Sequence, residues 1–299
     1  MTRVVAVAGG KGGTGKTLVA ASIAYLLSSR GFKVLIVDAD VDNPSISSLL
    51  RVEFTEVKEV TSFKPVIDGG RCTGCGECVR NCHENALALL PGGRVVLIES
   101  LCDGCGVCQL VCPVGAITEG RRVDGVVRYG REAGGADLIV GELAPGCRRT
   151  AALITRLIED HKDVFKKYDY VVIDSPPGAG GSLYPIIRYA DTVVAVTEPT
   201  PLGVSDLKKF LAMLEKYWQG RRQALVVINK YGLPSKSYRE LEDLISEHGL
   251  RYVKIPYSDL VPASYVRREL IVATHPESEV SKSMNEIIRY IAAANNIPA

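Results

Sequence analysis

Short apolar, β-branched runs alternate along this chain with longer segments whose apolar side chains recur every three to four residues. Residues 4–8 form the first run and stop at Gly9, which predicts a buried parallel strand. Residues 17–30 carry Ala, Leu and Ile at helical spacing and end at Gly31, a residue type favoured just past a helix terminus. A second run over 33–37 delivers Asp38 and Asp40 at its carboxyl end. Strand, helix and strand together predict a right-handed βαβ unit with its ligand site at the carboxyl ends of the strands. Further strands are expected over 170–173, 192–197, 224–228 and 252–255, with helices between them, including an amphipathic one over 151–167. The last helix carries the stripe Val280, Met284, Ile287, Ile288 and Ile291 and is expected to pack on the core. The pattern predicts an α/β fold with a mostly parallel sheet flanked by helices.

The middle of the chain breaks this rhythm. A short helix is expected over 45–50, and residues 52–63 mix valines with Glu, Lys and Thr as a lead into an inserted module that opens at Gly69-Gly70. Within 72–119 a period of about 30 residues repeats, the halves separated by a turn at Pro91-Gly92-Gly93. Residues 120–146, rich in Gly and Arg, are expected to return to the main sheet like a hairpin. Two domains follow: 1–68 with 120–299, and an insert over 69–119.

The loop after the first strand reads GGKGGTGKT, and Gly10, Gly15, Lys16 and Thr17 satisfy the phosphate-binding pattern GxxxxGK[ST]. Gly10, Gly12, Gly13, Thr14 and Gly15 let backbone N–H groups form a concave nest for phosphate oxygens beside a helix N-terminus. Lys16 is expected on the β- and γ-phosphates and Thr17 on Mg²⁺. Asp174, at the tip of an apolar run and followed by Ser-Pro-Pro-Gly, is placed to hold the same ion. Asn229, at another strand end, is a candidate for reading the adenine edge.

The insert carries two identical cysteine runs. Cys72, Cys75, Cys78 and Cys82 are spaced C-x2-C-x2-C-x3-C, and Cys102, Cys105, Cys108 and Cys112 repeat that spacing before Pro113. In such runs three thiolates serve one [4Fe–4S] cluster and the fourth serves the other. Cys72, Cys75, Cys78 and Cys112 are therefore assigned to one cluster, and Cys82, Cys102, Cys105 and Cys108 to the second. Thiolate zinc sites also use CxxC, and two matched four-cysteine runs argue against them. His83 stands where bacterial ferredoxins carry proline and is read as a polar surface residue; Cys147, outside both runs, is read as an ordinary structural thiol.

Composition adds little against this picture. Apolar residues make up 46% of the 299, enough for a sizeable core, and a net charge of only +2 gives no bulk case for nucleic acid. The pairs Arg121-Arg122, Arg148-Arg149, Arg221-Arg222 and Arg267-Arg268 are dispersed, so a nucleic-acid face is not expected. No signal-peptide pattern opens the sequence and no apolar run approaches the ~18 residues of a membrane span, which predicts a soluble, cytoplasmic chain.

Lys11 within GKGGTGKT, Asp38-Ala39-Asp40 and Asp174-Ser175-Pro176-Pro177-Gly178 together resemble the MinD/ParA family of deviant-Walker-A P-loop ATPases. The nearest likeness is to members with an inserted bacterial-type ferredoxin domain. The resemblance implies a homodimer formed on ATP binding, with Lys11 reaching the partner's phosphates. It implies that Asp40 orients the attacking water, and that Asp38 and Asp174 support Mg²⁺. The late CxxC of cluster-bridging scaffold ATPases is missing after Cys112, and the terminal helix has few of the cations of a MinD membrane tail. Lys11, Lys16 and Asp40 are thus the expected catalytic set of an ATP-hydrolysing enzyme. The leading expectation is a dimeric switch that couples ATP state to electron transfer through two [4Fe–4S] clusters to a partner protein. A metallocluster-assembly ATPase and a positioning ATPase with structural or redox-sensing clusters are the alternatives.

Overall fold

The computed structural model describes residues 2–132, 135–218 and 223–293. Among the described residues eleven strands are formed: β1 (Arg3–Ala8), β2 (Val34–Asp38), β3 (Val52–Ile67), β4 (Leu87–Leu89), β5 (Val95–Leu97), β6 (Ile117–Glu132), β7 (Asp137–Leu143), β8 (Tyr170–Asp174), β9 (Thr192–Thr197), β10 (Gln223–Tyr231) and β11 (Arg251–Pro256). Nine of them make one sheet in the order β11-β10-β9-β1-β8-β2-β7-β6-β3, while β4 and β5 pair antiparallel on their own. From β11 to β7 all pairings are parallel, so β1, β8 and β2 bring their carboxyl ends to one edge. Each of these three is buried along its length or nearly so, which is why they read as unbroken apolar runs.

The first helix, α1 (Lys16–Ser28), is apolar on nearly every face because it is covered on both sides. It packs on the sheet and is itself overlaid by the last helix (Glu279–Ala293), whose Val280, Met284, Ile287, Ile288 and Ile291 are all buried in the same core. That stripe behaves as the sequence predicts. Among the described residues, no helix is long and apolar enough to cross a membrane.

Two expectations change and one, the return after residue 120, holds. The stretch expected as a charged lead-in is a 16-residue strand, β3, which ends the strand order and so lies at the sheet edge. Its charged residues and Pro65 suit an edge, where they discourage pairing with another chain. The expected hairpin-like return is the pair of neighbouring strands β6 and β7. The helix expected over 151–167 is divided into Thr150–Glu159 and Lys162–Phe165. His161 causes the break: its Nδ1–H donates to the Leu157 carbonyl at 2.8 Å, and its own backbone N–H turns to Ile158 at 3.3 Å. The Tyr129 hydroxyl holds the other ring nitrogen at 2.6 Å.

The chain divides into two compact units, one comprising 1–57, 127–142 and 154–299, the other 58–126 and 143–153. The cysteine-bearing unit is therefore larger than residues 69–119, because it takes in the outer halves of β3 and β6 and the segment after β7.

Candidate nucleotide site and cysteine cavities

The phosphate-loop motif connects the carboxyl end of β1 to α1. Gly15, the residue before α1, has φ +98°, and a Cβ there would stand 2.3 Å from Asn229 Nδ2. Only glycine meets both demands. Asn229 is buried and fully engaged: its Nδ2 donates to the Thr14 carbonyl at 2.7 Å, and its Oδ1 accepts from the Lys230 N–H at 2.9 Å. The structure thus uses this side chain to clamp the loop.

Lys16 is buried, with Nζ donating to the Lys11 carbonyl at 2.9 Å. Burial lowers its pKa, opposed by the charges of Asp174 and Asp40. Thr17 donates to Asp174 Oδ2 at 2.7 Å and lies 3.0 Å from the Ser45 hydroxyl. Asp174 Oδ1 is buried without a hydrogen-bond partner. Burial drives the Asp174 pKa well above the carboxylate range, and the neighbouring Asp38 adds to the effect. The two aspartates face each other in the register of β2 and β8. An orphaned carboxylate oxygen, a second buried carboxylate and a threonine hydroxyl make a donor set suited to a divalent cation.

Asp38 itself is occupied. Its oxygens accept the N–H groups of Asp40 at 3.2 Å, Ser45 at 2.9 Å and Ile46 at 3.0 Å, fixing the loop that carries Asp40. Burial still raises its pKa to about 7. Asp40 is raised too, first by burial, with Lys16 pulling the other way.

Four residues of this site escape sequence reading. Glu198, at the end of β9 and only 8% exposed in its side chain, forms ion pairs with Lys11 and, at 2.9 Å, with Lys230. Lys230 Nζ also donates to the Gly13 carbonyl at 3.0 Å. Burial pushes Glu198 up, yet its bonds to the two lysines win and hold its pKa low. The available signal was an acidic residue at a strand tip, the same one that marks Asp174. Ser45 and Tyr265, the latter 40% exposed yet close enough to feel the Asp174 charge, gave none.

In the cysteine unit, the third cysteine of each run, Cys78 or Cys108, lies in a short helix, Glu77–Arg80 or Val107–Leu110, entered through Gly76 or Gly106 at positive φ. The chain crosses between the halves. Cys72, Cys75, Cys78 and Cys112 line one cavity, and Cys82, Cys102, Cys105 and Cys108 line another. The second is the roomier, about 150 Å³ against about 10 Å³. Apolar walls enclose both: Ile67, Val95 and Ile117 in the first, Phe63, Leu87 and Leu97 in the second. Among the described residues no three Cys, His or acidic groups converge tightly enough for a single metal ion, and the thiols ring hollows instead.

Backbone donors point at the sulfurs. Ala86 N–H reaches Cys82 Sγ at 3.3 Å, and Ala116 N–H reaches Cys112 Sγ at 3.2 Å. Burial is the largest single influence on the Cys112 thiol and pushes it up, but the N–H groups of Ala116, Val114, Ile117 and Gly115 together outweigh it, so its pKa is lowered. The deeper Cys78 and Cys108 are raised by burial, Cys108 to about 11. His83 joins the wall of the second cavity. Cys147 lies apart from both, its Sγ 3.9 Å from Asp124 Oδ1.

This loop-and-carboxylate site on a parallel sheet places the chain in a class. Residues 5–271 match the profile of the CobQ/CobB/MinD/ParA nucleotide binding domain, and the chain belongs to that family. An uncharacterised protein of Methanocaldococcus jannaschii is 31% identical over 269 residues, covering 89% of this chain and 90% of its own length. An iron-sulfur cluster carrier protein of Aquifex aeolicus is 23% identical over 301 residues, covering 97% of this chain and 67% of its own. Among solved structures, the septum site-determining protein MinD of Pyrococcus horikoshii, complexed with Mg-ADP, matches with a TM-score of 0.59 at 17% identity, over 99% of this chain and 100% of its own.

Proposed function

We propose that this protein is a dimerising ATPase whose nucleotide state controls electron transfer between two [4Fe–4S] clusters, held in its cysteine unit, and a partner protein. The observation that carries the reading is the crossing of the two cysteine runs: each set of four lines its own apolar-walled cavity, in a chain that also has a full phosphate loop. The residues suit such clusters in donor type, in N–H groups directed at Sγ and in lining. Bound clusters supply one-electron exchange at potentials set by their surroundings.

The chain's own residues perform the nucleotide chemistry. Lys16 exchanges the Lys11 carbonyl for phosphate oxygens, and the loop N–H groups cradle the rest. Thr17 and Asp174 would hold Mg²⁺, whose charge would offset the buried repulsion between Asp174 and Asp38. Asp38 acts through its backbone bonds as a positioning residue, presenting Asp40 to the attacking water. Lys11 leaves Glu198 to neutralise the phosphates of a second copy, and a cation supplied in this way is worth about 10³–10⁵ in rate.

The test uses anaerobically purified protein with its iron and sulfide counted. ATPase rate and ATP-dependent dimerisation are measured in the oxidised and the dithionite-reduced protein. A clear dependence on redox state is expected; identical rates and dimer fractions, with about eight irons held, overturn the coupling. The likeness to an iron-sulfur cluster carrier favours a second reading, cluster delivery. Loss of iron to an apo acceptor on ATP addition selects it, whereas full retention excludes it.

A further inference from the structure

The two cavities differ in the charge behind their walls. Behind the cavity of Cys82, Cys102, Cys105 and Cys108 lies Asp124, its side chain 6% exposed, between Arg122 and Arg149, 18% and 15% exposed. Arg122 Nε donates to Asp124 Oδ1 at 3.1 Å, and Arg149 Nη1 donates to Oδ2 at 2.9 Å. Both guanidinium groups also touch the cysteine run. Arg122 Nη1 donates to the Cys102 carbonyl at 2.9 Å, and a Cβ on Gly104 would stand 3.1 Å from Arg149 Nη1. Arg122 Nη2 and Arg149 Nε are buried without hydrogen-bond partners. Two largely buried cations thus share one buried carboxylate, leaving an excess of one positive charge, while Glu84 on the cavity wall is exposed and screened by water. Asp103, 3.6 Å from Arg149 Nε, is 65% exposed, so water screens most of its opposing charge.

The other cavity has only surface counterparts among the described residues: exposed Arg71 donates to the Val114 carbonyl at 3.5 Å, where water screens it. Arg80 donates to the Cys75 carbonyl at 3.0 Å, but it is 60% exposed and paired with Glu77 at 2.6 Å. Exposed, neutralised pairs of this kind exert little field.

We propose that Arg122 and Arg149, bridged by Asp124, form a buried cationic clamp that makes the cluster of Cys82, Cys102, Cys105 and Cys108 the easier of the two to reduce. The inference rests on the iron–sulfur reading above. Reduction adds one negative charge to a cluster, and a nearby cation in a poorly screened interior stabilises the reduced form. Electrons entering at the cluster of Cys72, Cys75, Cys78 and Cys112 therefore come to rest at the other, which gives the pair a direction. Arg122 and Arg149 are positioning residues here, acting on the potential without ligating.

The test is an anaerobic redox titration of the reconstituted full chain, followed by electron paramagnetic resonance and visible absorbance. The wild type is expected to reduce in two waves. Arg149→Gln moves the higher wave to lower potential and leaves the lower wave in place, so the split narrows. Arg149→Lys, which keeps the charge, retains most of the split. Arg80→Gln, a surface change, leaves both waves unmoved. Unmoved waves in Arg149→Gln overturn the proposal, as does an equal shift of both. If Arg149→Gln loses iron, the other two variants decide. A fall in Arg149→Lys to coincident waves, or a shift of the lower wave in Arg80→Gln, overturns it. Wild-type protein that binds no iron overturns the iron–sulfur reading itself, whereas iron bound with no effect of the charge change overturns only the clamp.

Discussion

Lys11, within the phosphate loop, and Lys230, bonded to the Gly13 carbonyl of that loop, are both drawn to the same carboxylate, that of Glu198. In electrostatic terms Glu198 stands in for phosphate, so nucleotide must displace it to recruit either lysine. Each lysine is partly exposed, which limits each pair to about 0.5–1 kcal/mol. Glu198→Gln is therefore expected to tighten ATP binding by about 2–5-fold for each lysine released, with the gain shrinking in high salt. Titration of a fluorescent ATP analogue at two ionic strengths checks this, and weaker binding in the variant would count against the competition. Lys11 was legible because it sits inside a contiguous nine-residue motif. Its partner lies 187 positions away, at the end of β9, and no local pattern links the two.

Single elements show why some boundaries were readable and others were not. α1 begins where the loop glycines end and is legible as a nearly unbroken apolar run, while the last helix obeys one apolar period from end to end. The break at His161 depends instead on a tyrosine from β6, so the periodicity of residues 151–167 carries no trace of it. β3 was missed because an edge strand is allowed charges that a central strand excludes. The entry to α1 makes a sharp prediction. Gly→Ala normally stabilises a helix by about 1 kcal/mol. At Gly15 the sign reverses, because φ is +98° and the new methyl strikes Asn229. Gly15→Ala should lower Tm and abolish nucleotide binding together, as read by thermal unfolding with and without Mg-ATP; unchanged Tm with intact binding would sink the argument.

The two compact units differ in what holds each together. The nucleotide unit has a continuous aliphatic core spanning β1, α1, the central strands and the last helix. In the cysteine unit the buried cluster consists of Cys78, Leu87, Val95, Cys108 and Ile117, so ligand candidates are themselves core residues. On the proposed iron–sulfur reading, a unit with so small an apolar core depends on what its thiols bind. Iron removal by an anaerobic chelator is expected to open residues 58–126 to protease while the nucleotide unit stays resistant and still binds Mg-ATP. Limited proteolysis with mass spectrometry reads this, and a cysteine unit that resists cleavage after losing all iron would show that its core suffices alone.

The phosphate loop, the strand-tip aspartates and the eight-cysteine spacing were set by the sequence alone, because each is a contiguous pattern whose chemistry needs those residues at those intervals. The nucleotide-binding family and the parallel α/β fold followed from the same local order. Tertiary structure alone decided which groups oppose one another across long stretches of chain. It set Glu198 against Lys11, turned Asn229 into a clamp on the loop, and buried Asp124 between Arg122 and Arg149 behind one cavity and not the other. These are balances of burial and charge between segments far apart in sequence, and such balances exist only once the chain has folded and excluded water from between them.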